Sequence, residues 1–322
     1  MKKSLLAAAV ATLAASSAFA QSAVTIYGRL NESVERQKFG TTDPVWRMQD
    51  NGSRLGFKGS EDMGGGLKAN FVIEHGFNVD TGSTASSRFW NRESTVGISG
   101  GFGAIRLGNM PASEAYFATS DWVDMHNHGT GTSSDALYGG QVVGQLQNAV
   151  AYTTPTFGGA SVAVQLGLTE GTKPKKPLSS ALNYDVGGLH AGIGYEEFNG
   201  LKSLGLRAVY ELGAFTFGGY YERNSGSNAT VLDYKRNNFN LAAMYAMGSS
   251  EFHVHVGAAG ETGGVANTGA KQFTVAYNYN LSKRTKVYTF FTKVDNQAAA
   301  SYLTGAPGVD FQSFALGIRH NF

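Results

Sequence analysis

The feature that most constrains the fold is a two-residue alternation of apolar and polar side chains, repeated segment after segment along the chain. Successive side chains of a strand point to opposite faces, whereas a helix repeats every 3.6 residues. From 22 to 30, Val24, Ile26 and Leu30 share one face and Thr25, Tyr27 and Arg29 the other. From 161 to 168, Val162, Val164, Leu166 and Leu168 alternate with Ser161, Ala163, Gln165 and Gly167. Phe215, Phe217 and Tyr221 oppose Thr216, Tyr220 and Glu222, and Val254 and Val256 oppose His253 and His255. From 239 to 247, Phe239, Leu241, Ala243, Tyr245 and Met247 line one side. One face is consistently apolar and the other polar or glycine, which predicts an all-β protein.

A soluble sandwich alternates in the same way, so two further features are needed. The segments run to about 10 residues, the length of a tilted membrane strand, where soluble strands average nearer 5 to 6. The connections also alternate in length. Short turns stand at Asp185-Val186-Gly187-Gly188, Glu211-Leu212-Gly213-Ala214 and Met247-Gly248-Ser249-Ser250. Between them lie longer polar stretches at 171–179, 224–235, 261–270 and 295–309. Short turns on one side and long loops on the other mark outer-membrane barrels. A hairpin with its turn and loop takes roughly 38 residues, so the chain beyond position 20 holds about eight hairpins, or about 16 strands. An antiparallel barrel of that size leaves an aqueous lumen rather than a packed core. Closure is a physical requirement, because lipid satisfies no hydrogen bond of an open sheet edge.

Composition and the N-terminus agree. Lys2 and Lys3, the apolar run from Leu5 to Leu13 and Ala18-Phe19-Ala20 have the layout of a secretory signal peptide, which assigns 1–20 to a leader cleaved after Ala20 and 21–322 to the barrel domain. Without Lys2 and Lys3 the chain carries 24 basic and 24 acidic residues, so no global charge points to nucleic acid. There is no cysteine, and 43 Gly with only 6 Pro fits strands joined by tight turns. No cofactor and no metal are expected. The last strand carries Phe314, Leu316, Ile318, His320 and Phe322 on one face, and the terminal Phe322 resembles the assembly signal of outer-membrane proteins.

Several stretches in order resemble the Gram-negative general porins of the beta-proteobacterial and neisserial type. Val24-Thr25-Ile26-Tyr27-Gly28 is similar to that family's first strand. The stretch from Ser53 through Gly59 to Ala69 is similar to its second strand, first turn and third strand, and Phe102 to Gly108 to its fifth. Leu281 to Thr285 and the ending Gly317 to Phe322 follow the same pattern. The resemblance implies a transmembrane, 16-stranded, homotrimeric channel in the outer membrane, with loop 3 folded into the lumen as a constriction. It also implies a second loop, at about 78–87, that reaches over a neighbouring subunit. The partners expected on this basis are ions and small hydrophilic solutes, outer-membrane lipid and lipopolysaccharide, and the barrel assembly machinery.

The pore residues follow. The connection from Asn109 to about Gln145 is the longest in the chain and carries Glu114, Asp121, Asp124 and Asp135, with no Lys or Arg between Arg106 and Lys173. Taken alone it reads as a solvated acidic loop; the resemblance makes it loop 3, with its carboxylates near the pore axis. Arg29, Arg54 and Arg106 fall on the polar face and form the opposing basic wall, or else pair with a strand carboxylate such as Glu74. Lys58 and Lys68 share that face near the first short turn. Charges of opposite sign across a narrow gap favour dipolar and ionic solutes over apolar ones. Anion-selective relatives carry arginine at two places where this chain has Glu93 and Gln145; alternation turns Arg92 outward unless a bulge turns it inward. The expectation is a weakly cation-preferring general pore, with an anion-selective or substrate-selective channel as the alternative.

Other chemistry is weaker. His253 and His255 lack a third ligand at metal-site spacing. His126-Asn127-His128 has no surrounding motif, and Gly100-Gly101-Phe102-Gly103 opens no helix. Lys173, Lys175 and Lys176 make a basic loop suited to solvent or lipopolysaccharide, or to an anion. A barrel enzyme would need a Ser-His pair on the lipid face, and His320 has no evident serine partner. The chain is therefore not read as an enzyme.

Overall fold

The computed structural model describes residues 23–123, 136–138, 142–168, 176–228 and 233–322. The strands in chain order are β1 (Ala23–Phe39), β2 (Val45–Asp50), β3 (Arg54–Gly64), β4 (Leu67–Gly76), β5 (Glu93–Gly100), β6 (Gly103–Asn109), β7 (Ala149–Thr153), β8 (Ala160–Gly167) and β9 (Leu178–Val186). They continue as β10 (Leu189–Phe198), β11 (Leu201–Leu212), β12 (Phe215–Gly226), β13 (Tyr234–Met247), β14 (Ser250–Ala259), β15 (Ala270–Asn280), β16 (Thr285–Asn296) and β17 (Phe311–Asn321). Two short helices, α1 (Glu114–Ala118) and α2 (Ser120–Val123), lie between β6 and β7.

Every neighbour pair is antiparallel, and β17 returns to β1 in a register from Arg29↔Asn321 to Phe39↔Phe311. The second wall strand is built in two pieces. β1 pairs β3 from Ala23↔Ser60 to Arg29↔Arg54 and pairs β2 from Glu32↔Asp50 to Gln37↔Val45. The register slips by one residue between them, at Asn51-Gly52-Ser53. The Asp50 carboxylate accepts from the N–H groups of Gly52 and Ser53 at 3.0 and 3.1 Å, so the break leaves these donors satisfied. Counting β2 and β3 as one wall strand gives a closed barrel of 16, as the strand length and loop spacing predict.

Alternation holds around the wall. Val24, Ile26, Leu241, Leu316 and Ile318 are exposed on the outer face. Asn31, Ser33, Glu35, Glu222, Asn238 and Thr292 lie buried on the inner face. Neighbouring inner side chains bond one another: Glu35 accepts from Ser33, Gln37 and Ser313. Among the described residues no helix is long and apolar enough to cross a membrane; the strands make the crossing.

The connections sort by end. Two-residue turns join β3 to β4, β5 to β6, β9 to β10, β11 to β12 and β13 to β14, and both chain ends of the barrel lie at this end. The other end carries the connections at 77–92, 110–148, 168–177, 227–233, 260–269 and 297–310. One connection departs from the expected pattern: β10 and β11 are joined at the loop end by Asn199-Gly200 alone, with both residues at positive φ.

Candidate functional site

The inner face of β1, β3 and β17 gathers Arg29, Arg54 and Arg319. Arg29 donates from Nε to Asn321 Oδ1 at 3.0 Å. Arg54 lies 3.8 Å from the Glu74 carboxylate, and Arg92 donates to the same carboxylate at 2.5 Å. Arg106, on β6, bridges Glu93 at 3.4 Å and Glu114 at 2.9 Å. Arg54 and Arg106 are thus paired with carboxylates, while Arg29 is held by Asn321. Lys286 and Glu251 add a further inner-wall pair at 3.1 Å on β16 and β14. His253 shares that cluster, with Nε2 3.1 Å from Asn278 Nδ2.

Of the two orientations open to Arg92, the structure has the inward one. Alternation carried back from Val96 turns it outward, but it precedes β5 by one residue, where no ladder fixes side-chain direction. Its stem lies against Gly76 and its guanidinium reaches Glu74 on the inner face. Glu93 does face inward, where it also accepts from Thr95 Oγ1 at 2.8 Å. Gln145 proves to be a structural bridge. Its Nε2 donates to the carbonyls of Asn91 and Arg92, both at 2.7 Å, and its Oε1 accepts from Arg88 at 2.6 Å. Arg88 also donates to Asn109 Oδ1 at 3.1 Å.

The segment after β6 starts with Met110, whose N–H donates to the Leu146 carbonyl at 2.8 Å and closes the base of the loop. Ser113 caps α1 by accepting from the Tyr116 N–H, the role a short polar side chain plays at a helix start. Glu114, in its first turn, accepts from Arg106 and from Gln165 of β8 at 3.1 Å. Burial pushes the Glu114 carboxyl up, partly offset by Arg106 and the Gln165 hydrogen bond. Asp121 lies in the first turn of α2 and acts electrostatically on Arg29 and Arg54. Asp124 and Asp135 lie outside the described residues, as do His126 and His128.

Helices α1 and α2 pack on the polar face of the wall. The Ala115 N–H donates to Ser179 Oγ of β9 at 3.1 Å. A Cβ at Gly192 would overlap the Ala118 carbonyl, one at Gly194 would lie 2.7 Å from Ala115 O, and one at Gly205 would lie 2.8 Å from Thr119 Cγ2. The inner-face glycines of β10 and β11 thus make room for backbone. Val123 is buried with Val209, Tyr220 and Ala242. Further on, Leu137 is buried against Ala259, Ala270, Val294 and Phe311, with Arg236 donating to its carbonyl at 2.8 Å. Alternation placed Gln165 on the polar face of its strand, but no local pattern signals that it meets this segment.

A family model described as Gram-negative porin matches residues 7–299. The chain belongs to the Gram-negative porin family. Outer membrane porin protein 32 of Delftia acidovorans is 31% identical over the full length of both chains. Major outer membrane protein P.IB of Neisseria sicca is 28% identical, also over both full lengths. The solved structure of an anion-selective porin from Comamonas acidovorans has a TM-score of 0.79 and 26% identity, covering 94% of this chain and 100% of that one.

The porin is an outer-membrane protein, and its barrel closes where the C-terminus meets β1. Gly28 and Phe322 exchange backbone hydrogen bonds, both 3.1 Å. The Phe322 ring lies over Gly28 on the outer face, where a Cβ would collide with it.

Proposed function

We propose that this porin is a general diffusion channel for ions and small hydrophilic solutes, with a weak preference for anions. The narrowest part is set by the segment 110–148 folded into the lumen as loop 3. Its contacts with the polar face of β8–β17 support that placement. The observation that carries the sign is Arg92. A weak cation preference follows if Arg92 faces outward and Gln145 stands free. With Arg92 on Glu74 and Arg88 held by Gln145, two cations return to the base of loop 3, beside Arg29, Arg54, Arg106 and Arg319. Glu74, Glu93 and Glu114 are each engaged by an arginine, which reduces their pull on passing cations. The anion-selective porin from Comamonas acidovorans is similar in fold and sequence, which supports the same sign.

The reading extends to assembly. Residues 1–20 direct export and are removed after Ala20, Phe322 is recognised by the barrel assembly machinery, and the channel is a homotrimer. Glu32 supports the trimer. Glu32 and Asp50 face each other across β1 and β2; Asp50 is held by the Gly52 and Ser53 N–H groups, whereas Glu32 lies on the outer face, where lipid solvates a carboxylate poorly and a protein neighbour does better. The test of the channel is a planar-bilayer recording under a potassium chloride gradient. A reversal potential on the anion side supports the proposal; one on the cation side refutes the sign, and no conductance steps refute the channel.

A further inference from the structure

Charged side chains on the outer face of β9 to β17 are confined to one end. At the turn end the outward residues include Tyr184, Tyr210, Leu212, Phe215, Tyr245, Phe252 and Tyr279, a belt without Lys or Arg on these strands. At the loop end stand Lys202, Arg223, Lys235, Lys271 and Lys293, with Glu197, Asp233 and Asp295 among them. Long loops face the exterior in outer-membrane barrels, so the cations lie at the outer leaflet.

Three of them converge. Ser225 of β12 is directly opposite Lys202 on β11 and Lys235 on β13, so the two lysine Cα atoms are about 10 Å apart at ordinary strand spacing. Arg223 is the next outward residue of β12 towards the membrane centre, about 7 Å below Ser225. Leu206, Tyr221 and Phe239 continue the apolar band beneath it, and Tyr221 Oη donates to Asn237 Oδ1 at 2.8 Å. Glu197 lies 3.9 Å from Lys202 and Asp233 lies 2.8 Å from Lys235. Among the described residues Arg223 has no carboxylate within ion-pair distance. All three cations are exposed, over acyl-chain-facing side chains.

We propose that Lys202, Arg223 and Lys235, around Ser225, form a binding site for the phosphorylated headgroup of an outer-leaflet glycolipid. Arg223 supplies a planar fork for phosphate oxygens, the lysines supply mobile point charges, and the apolar band below takes the acyl chains. The site rests on the reading of this chain as an outer-membrane channel, so conductance is recorded alongside binding to keep the two claims separate.

The test uses the purified, folded protein in zwitterionic detergent. It is titrated with bisphosphorylated lipid A and with lipid A stripped of its phosphates, and affinity is read by thermophoresis. The wild type should bind the phosphorylated form at least about tenfold more tightly. The triple variant Lys202→Ser, Arg223→Ser, Lys235→Ser should lose most of that discrimination with unchanged conductance, while Lys293→Ser keeps it. If the triple variant fails to fold, Arg223→Ser alone should weaken binding of the phosphorylated form by about fivefold. Equal binding of the two lipids by the wild type, or full discrimination by the folded variant, overturns the proposal.

Discussion

Replacing Arg92 with Met tests the assignment of the constriction charges. Arg92 is the nearer of the two arginines on Glu74, at 2.5 Å against 3.8 Å for Arg54. Met keeps much of the stem that packs on Gly76 and removes one positive charge. A permeating ion about 5 Å away in water interacts with a unit charge by about 0.8 kcal/mol, and screening at physiological salt reduces that to about 0.4 kcal/mol. The change has opposite sign for anions and cations, so the ratio of anion to cation permeability should fall about fourfold. In 1 M salt, where the Debye length is about 3 Å, the same substitution should change the ratio by less than about twofold. Reversal potentials of wild type, Arg92→Met and Arg92→Lys under a fixed gradient measure this directly, with the lysine variant staying near wild type. An unchanged ratio for Arg92→Met at low salt would refute the placement of Arg92 beside the ion path.

Three further outcomes follow from the same geometry. Deleting Phe322, or Gly28→Val, removes the ring-on-glycine contact at the closing seam and should lower the yield of folded barrel several-fold in refolding followed by heat-modifiable gel migration; undiminished folding by both variants would contradict the seam. Because burial raises the Glu114 carboxyl, it protonates above the usual carboxylate range as pH falls, which removes a negative partner of Arg106 and should move the reversal potential towards anions; Glu114→Gln should flatten that part of the pH profile. Gly194→Val would press on Ala115, so it should displace α1 and lower thermal stability by roughly 1–3 kcal/mol, as overpacking does, while leaving the strand ladder intact. Wild-type stability and conductance in that variant would show that α1 does not rest there.

The wall of the barrel was legible in the sequence because alternation is a local signal. Val24, Ile26 and Leu30, or Phe314, Leu316 and Ile318, each declare a face within a few residues. The break between β2 and β3 was not legible, since an alternating pattern on either side of Asn51-Gly52-Ser53 looks the same whether or not the register slips. The direction of Arg92 was open for a related reason: it precedes β5 by one residue, where alternation no longer fixes a side chain. Gln145 depends on Arg88, 57 residues away, and on the Asn91 and Arg92 carbonyls, contacts that no local pattern encodes. Gly192 and Gly194 carry no local mark of their use, which is to admit the backbone of α1 against the wall. The acidic character of the segment after β6 was legible, but the pairing of both Glu93 and Glu114 with the single Arg106 of β6 was not, because it depends on how the segment turns back onto the wall.

The central claim is that the segment between β6 and β7 narrows an otherwise open aqueous barrel. The direct measurement is single-channel conductance in a planar bilayer for the wild type and for a variant with 112–143 replaced by a short Gly-Ser linker. Discrete steps from the wild type and clearly larger steps from the variant, with weaker ion selectivity, are the expected result. Steps of equal size from two folded proteins would contradict the claim, because the segment would then lie outside the conducting path.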